Sequence, residues 1–168
     1  MKLLSIVRHA KAERPDAYDT DFVRPLARRG HSDSRLIAKI LTKIEPACDY
    51  VVSSSSLRTR ETVQEFTSAM SYEGLIVWSD ALYLAAVGDM LRVLSETPDD
   101  VEHVVMCGHN PGMEELVAGL CAGSTQHLHL EMPTACCTHL YLQIVHWSQI
   151  RWGCGALRFL LPPKLLRM

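Results

Sequence analysis

At 168 residues the chain fits one ordinary domain and is too short for two with separate cores. Its 48% hydrophobic and 21% charged composition is that of a globular protein able to bury a core without disulfides or a structural metal. A mean hydropathy of +0.04 with no long uncharged apolar run argues against a membrane span. A net charge of −2 with no basic surplus argues against a nucleic-acid binder, although 17 Lys and Arg leave room for a local anion site.

The first predicted element is a strand, Leu3–Val7. The apolar run there is shorter than the about 7–15 residues of a secretory core, so the reading is a buried strand in a cytoplasmic protein. Leu36, Ile37, Ile40, Leu41 and Ile44 then recur at helical spacing. A strand over Tyr50–Ser53 precedes a helix marked by Val63, Phe66 and Met70. Another over Leu75–Trp78 precedes one marked by Met90, Leu91 and Leu94. The strand His103–Cys107 leads into the clearest stripe, Met113, Leu116, Val117, Leu120 and Cys121. Two strands with no helix between them close the chain, Thr138–Val145 and Ala156–Leu161, and the Pro162-Pro163-Lys164 tail is expected to fray. This order predicts a three-layer αβα domain over residues 1–168. Its central sheet is mostly parallel, with helices on both faces and an antiparallel edge. The cysteines Cys48, Cys107, Cys121, Cys136, Cys137 and Cys154 contain no C-x-x-C pair and read as reduced core residues.

Open α/β sheets bind ligands beyond the carboxyl ends of their strands. After the first strand come Arg8-His9-Ala10-Lys11, after the second Ser54-Ser55-Ser56-Leu57-Arg58-Thr59-Arg60, and after the fourth Gly108-His109-Asn110-Pro111-Gly112. Guanidinium forks match phosphate oxygens and stay charged at any working pH. A histidine among them is held neutral and therefore nucleophilic. Such a histidine can take a phosphoryl group and pass it to water with no metal. A second histidine can stabilise the equatorial oxygens, and the helix starting near Pro111 can point its N–H groups at the anion.

The residues Arg8-His9, Ser53-Ser54-x-x-Leu57-Arg58-x-Arg60-Glu61-Thr62 and Gly108-His109-Asn110-Pro111 resemble the histidine phosphatase superfamily. Arg24-Pro25-Leu26 followed by Arg29-Gly30 is similar to its short SixA-like phosphohistidine phosphatases. The resemblance runs from residue 3 to about residue 122 and implies a phosphoglycerate-mutase-like fold without a large cap. It implies that His9 is the phosphorylated nucleophile, that Arg8 and Arg58 clamp the phosphoryl oxygens, that His109 completes the pocket and that Arg24 adds a phosphate contact. It implies no cofactor, and a phosphohistidine-bearing signalling protein as partner. Arg60 reads equally well as a helix-surface residue.

Two positions depart from the family pattern, Ala10 for its glycine and Ser55 for its proline; a serine there can still start the helix by capping it. The glutamate that larger relatives supply after the third strand is missing from Asp80-Ala81-Leu82-Tyr83-Leu84-Ala85-Ala86-Val87-Gly88. Asp21 is the first candidate for the general acid and Asp80 the second; an imidazole leaving group also departs readily without one. Lys11, Glu13 and Arg14 are candidates for the rim of the mouth.

An uncapped site suits a phosphorylated side chain still on its protein. The alternatives are a phosphatase for a small phosphoester, nucleotide or polyphosphate, and a phosphate or phosphoprotein binder without turnover. A metal site from His127, His129, Cys136, Cys137 and His139 is the weakest reading, because its spacing departs from the usual zinc patterns. The oligomeric state stays open.

Overall fold

The computed structural model describes residues 1–167. Strands β1 (Lys2–Arg8), β2 (Tyr50–Ser54), β3 (Ile76–Ser79), β4 (His103–Gly108), β5 (Cys137–Leu142) and β6 (Gly155–Leu161) form one six-stranded sheet in the order β3-β2-β4-β1-β5-β6. β4 pairs parallel with β1 and β2, and β2 with β3. β5 runs antiparallel to both β1 and β6. Helices α1 (Arg28–Ile44), α2 (Leu57–Met70), α3 (Val87–Ser95) and α4 (Gly112–Ala122) complete an αβα sandwich.

Alternation along the strands sorts the core into two layers. Leu4 and Ile6 of β1 with Val104 and Met106 of β4 face α3 and α4, meeting Met90, Leu94, Met113 and Leu116. Val7, Val105 and Cys107 face α1 and α2, meeting Ile37, Leu41, Val63 and Phe66. Cys136 and Cys137, adjacent in sequence, fall into opposite layers. His139 lies buried on β5 against Ser5, while His127 and His129 are exposed in the loop before it. The proposed metal ligands are therefore dispersed, and among the described residues no group of three His, Cys, Asp or Glu is gathered for an ion.

Strand ends fall within one residue of expectation except at β5, and the tail also differs. β5 stops at Leu142 because the chain turns there: the Gln143 N–H bonds the Cys154 carbonyl at 2.7 Å, and the buried Trp147 closes the turn from below. β3 starts at Ile76, leaving Leu75 exposed at the sheet edge. The tail is not frayed. Pro163–Leu166 forms a 3-10 turn with Pro163 buried, and Arg167 pairs with the buried Asp33 of α1. No helix among the described residues is long and apolar enough to cross a membrane.

Candidate active site

β2, β4 and β1 are neighbours in mid-sheet, so their carboxyl ends bring Ser54 to Arg58, His109, and Arg8 with His9 to one rim. The His9 N–H bonds the Gly108 carbonyl at 3.0 Å, and the His9 carbonyl accepts from Ala135 at 3.1 Å. Ala135 takes φ 61°, a left-handed conformation that costs an alanine about 1–2 kcal/mol and that the fold accepts behind this residue. The Ala10 N–H is bound by the Thr62 hydroxyl of α2 at 3.0 Å, and its φ lies outside the left-handed region, so the family's glycine is not needed there. Gly30 is needed: a β-carbon on it would stand 2.3 Å from the Lys11 carbonyl oxygen, where α1 crosses under the loop after His9.

His9 Nδ1 lies 2.8 Å from the Ala10 carbonyl, which only accepts, so the proton sits on Nδ1 and the Nε2 lone pair is free. Burial is the main cause that pushes its pKa down to about 4; the Ala10 bond, next in size, opposes it, and the charges of Arg58, Arg8 and Arg24 add to the lowering. It is a neutral imidazole at neutral pH.

The three arginines share one feature. The Nε–H groups of Arg8, Arg24 and Arg58 are buried and have no partner among the described residues. An unmet buried donor costs about 1–3 kcal/mol, and three beside one histidine fit an anion with several oxygens. Several of their other nitrogens are tied to protein. Arg8 Nη1 donates to the Met132 carbonyl at 2.8 Å. Arg58, 2% exposed, donates to the Asp21 carbonyl at 2.6 Å, to Asp21 Oδ2 at 2.7 Å and to His109 Nδ1 at 3.1 Å. Arg24 holds Asp21 Oδ1 at 3.0 Å.

His109 stands 5.2 Å from His9, ring centre to ring centre. Because Arg58 only donates, His109 Nδ1 accepts, and Nε2–H donates to the Ser54 hydroxyl at 2.9 Å. Burial, followed by His9 and Arg58, pushes its pKa down to about 3. Both its nitrogens thus meet protein groups, Nδ1 the Arg58 guanidinium and Nε2 the Ser54 hydroxyl. At the start of α4 the Met113 N–H bonds the His109 carbonyl at 3.1 Å.

Asp21 sits in a 3-10 turn, Asp21–Val23, at the mouth of the site. Burial would raise its pKa, but hydrogen bonds from Tyr83 and Arg58 and the charges of Arg58 and Arg24 outweigh that and lower it. Its carboxylate bridges two arginines, Arg24 through Oδ1 and Arg58 through Oδ2. Asp80 is bonded to the Ser55 hydroxyl, a tie between the ends of β3 and β2. Arg60 is turned away: its Nε donates to the Ser55 carbonyl at 2.8 Å and its guanidinium lies 4.6 Å over the Trp78 ring. Helix α2 starts without the side-chain cap expected of its serines; the Thr59 hydroxyl meets the Ser54 carbonyl at 2.7 Å instead. Lys11, Glu13 and Arg14 lie on the exposed rim or close beside it.

Sequence reasoning missed Tyr83. Its hydroxyl donates to Asp21 Oδ2 at 2.8 Å, its ring meets His109 edge-on at 5.3 Å, and Arg58 lies 5.8 Å from its centre. It comes from the segment after β3, where a carboxylate was sought. It also missed Glu114, which accepts from Asn110 at 2.7 Å and from the Met132 N–H at 2.7 Å, and so braces the loop that holds Arg8.

Phosphohistidine phosphatase SixA of Escherichia coli is 32% identical to this chain over 124 residues, covering 71% of this chain and 74% of that protein. The chain belongs to the SixA-like histidine phosphatases. The uncharacterised Mycobacterium tuberculosis protein Rv1276c is 29% identical over 157 residues, covering 90% of this chain and 96% of its own length. Among solved structures, the protein histidine phosphatase SixA complexed with tungstate superposes with a TM-score of 0.82 at 26% identity, covering 98% of this chain and 99% of that one. A mycobacterial glucosyl-3-phosphoglycerate phosphatase shares the fold, with a TM-score of 0.68 at 15% identity over 94% of this chain and 97% of its own. No protein-family model matches the chain. Phosphatase chemistry follows from SixA-like membership. In this SixA-like chain the motif residues Arg8, His9, Arg24, Arg58 and His109 meet at the carboxyl rim of the sheet.

Proposed function

We propose that this SixA-like phosphatase removes the phosphoryl group from phosphohistidine on a protein, through a covalent intermediate on His9 and without a metal. The observation that carries this reading is the free Nε2 lone pair of a neutral His9 beside three buried, unpartnered arginine Nε–H groups. The arginines supply the positive charge that the three phosphoryl oxygens require.

In the first step the His9 Nε2 lone pair forms an N–P bond as the substrate's P–N bond breaks in line with it. The departing imidazole nitrogen keeps the bonding pair; where the ring's other nitrogen carries a proton it leaves as neutral imidazole, and otherwise it takes a proton from water. Water then attacks the phosphorus of phospho-His9, the N–P bond breaks back to Nε2, and inorganic phosphate leaves. Arg8, Arg24 and Arg58 hold the oxygens throughout; His109 and Asp21 hold Arg58.

The test is phosphate release from a phosphohistidine-bearing phosphotransfer domain, in chelator, beside p-nitrophenyl phosphate. Faster turnover of the domain supports the reading. Faster turnover of the ester shifts it to the small-phosphoester alternative, which the likeness to a glucosyl-3-phosphoglycerate phosphatase keeps in view. Phosphate binding with no turnover of either substrate leaves a binder.

A further inference from the structure

Beyond the catalytic rim lies a groove that the chemistry above does not use. Val7 of β1 pairs with Cys137 of β5, and Cys137 pairs with Leu161 of β6. The chain leaving Leu161 therefore emerges at the same edge of the sheet as Arg8 and His9, two strands away, or about 10 Å at ordinary strand spacing. There Arg29, Pro133, Thr134, Lys164, Leu165 and Arg167 line a groove of about 400 Å³. One wall is continuous with the site, since Thr134 precedes Ala135, whose N–H holds the His9 carbonyl.

The groove is built rather than incidental. Asp33, 2% exposed on α1, accepts from Arg29 Nε at 3.4 Å and from Arg167 Nη2 at 3.2 Å, which draws both guanidinium groups to this surface. Lys164 is exposed beside them, and Leu165 shows 65% of its surface to solvent. Glu131 is the acidic side chain of the lining. Counted with Glu131 and Asp33, the groove keeps a net positive charge on a chain whose total is −2. It offers fixed cations around an apolar contact, the complement of an acidic segment carrying one apolar side chain.

We propose that this groove docks the protein that carries the phosphohistidine, by an acidic segment with an apolar anchor seated on Leu165. A small phosphoester held at His9 does not span the about 10 Å to the groove, whereas a folded substrate does. The proposal rests on the phosphohistidine reading and adds to it how a protein substrate is preferred.

The test compares three substrates: a histidine phosphotransfer domain phosphorylated with phosphoramidate, a short phosphohistidine peptide, and phosphoramidate itself. In Lys164→Glu/Leu165→Asp the ratio of kcat/KM for the domain to that for phosphoramidate falls at least about tenfold, a loss of about 1.4 kcal/mol, and the peptide follows phosphoramidate. Lys164→Glu alone gives part of that loss and serves if the double variant does not fold. A ratio within about twofold of wild type, or a wild type that treats domain and peptide alike, overturns the docking proposal and leaves the phosphohistidine reading standing. Turnover of p-nitrophenyl phosphate but of neither domain nor peptide overturns the phosphohistidine reading, and the docking proposal with it.

Discussion

Asp21 and Arg58 are joined twice, through the backbone carbonyl at 2.6 Å and the carboxylate at 2.7 Å. The aspartate is on a surface turn and the arginine is buried at the start of a helix. This pairing sets the direction of the guanidinium and leaves its Nε–H unmet. Asp21→Asn is expected to raise KM several-fold with kcat within about tenfold of wild type. A general acid behaves differently: its loss costs about 10²–10⁴ in rate, most for substrates with poor leaving groups. Steady-state kinetics across leaving groups separates the two.

Tyr83 acts through the same carboxylate. Tyr83→Phe removes one hydrogen bond, worth about 0.5–1.5 kcal/mol, and should lower kcat/KM about two- to tenfold. In the Asp21→Asn background it should add little, because the acceptor's charge is already gone. Additive effects in the double variant would show that the hydroxyl works independently of Asp21.

Arg58→Ala removes a buried cation and strands Asp21 and His109 together. A loss of about 10²–10³ in kcat/KM or more is expected, measured beside a melting curve to separate site from fold. Near-wild-type turnover would remove Arg58 from the site.

The acid behaviour follows from the buried histidines. His9 falls to about 4, His109 to about 3 and His139 to about 4, each chiefly through burial. Their unfolded forms gain protons below about pH 6.5, so the unfolded state binds more protons there and stability is lost as pH falls from about 6.5 toward these values. The urea midpoint should drop between pH 7 and pH 5. The rate constant for phosphorylating His9 should nonetheless hold within about twofold at pH 5.5 in protein still folded, where an ordinary imidazole keeps about a tenth of its neutral form. Stopped-flow phosphorylation at constant substrate charge checks this.

Much of the site was legible because Arg8, His9, Arg58 and His109 each come at or just after the end of a recognisable strand. Arg8 and His9 end one β-rich run, Arg58 opens the helix after the next, and His109 caps a third. Parallel pairing then places them together without any knowledge of side chains. Tyr83 was not legible, since its partner Asp21 lies 62 residues away and both sit in short 3-10 or loop segments without periodicity. The ordered tail escaped for the same reason, because Arg167 is fixed by Asp33, 134 residues earlier. Asp21 was legible as a residue, but the two arginines and the tyrosine that meet its carboxylate are brought to it only by the fold.

The most direct test of the account is to trap the intermediate. Wild type and His9→Ala are mixed with phosphoramidate, quenched in alkali, and mapped for phosphohistidine. Alkali-stable, acid-labile phosphate on Nε2 of His9 in wild type, and none in His9→Ala, is the result the account predicts. Phosphate release by wild type with no label on His9, or undiminished release by His9→Ala, would contradict it.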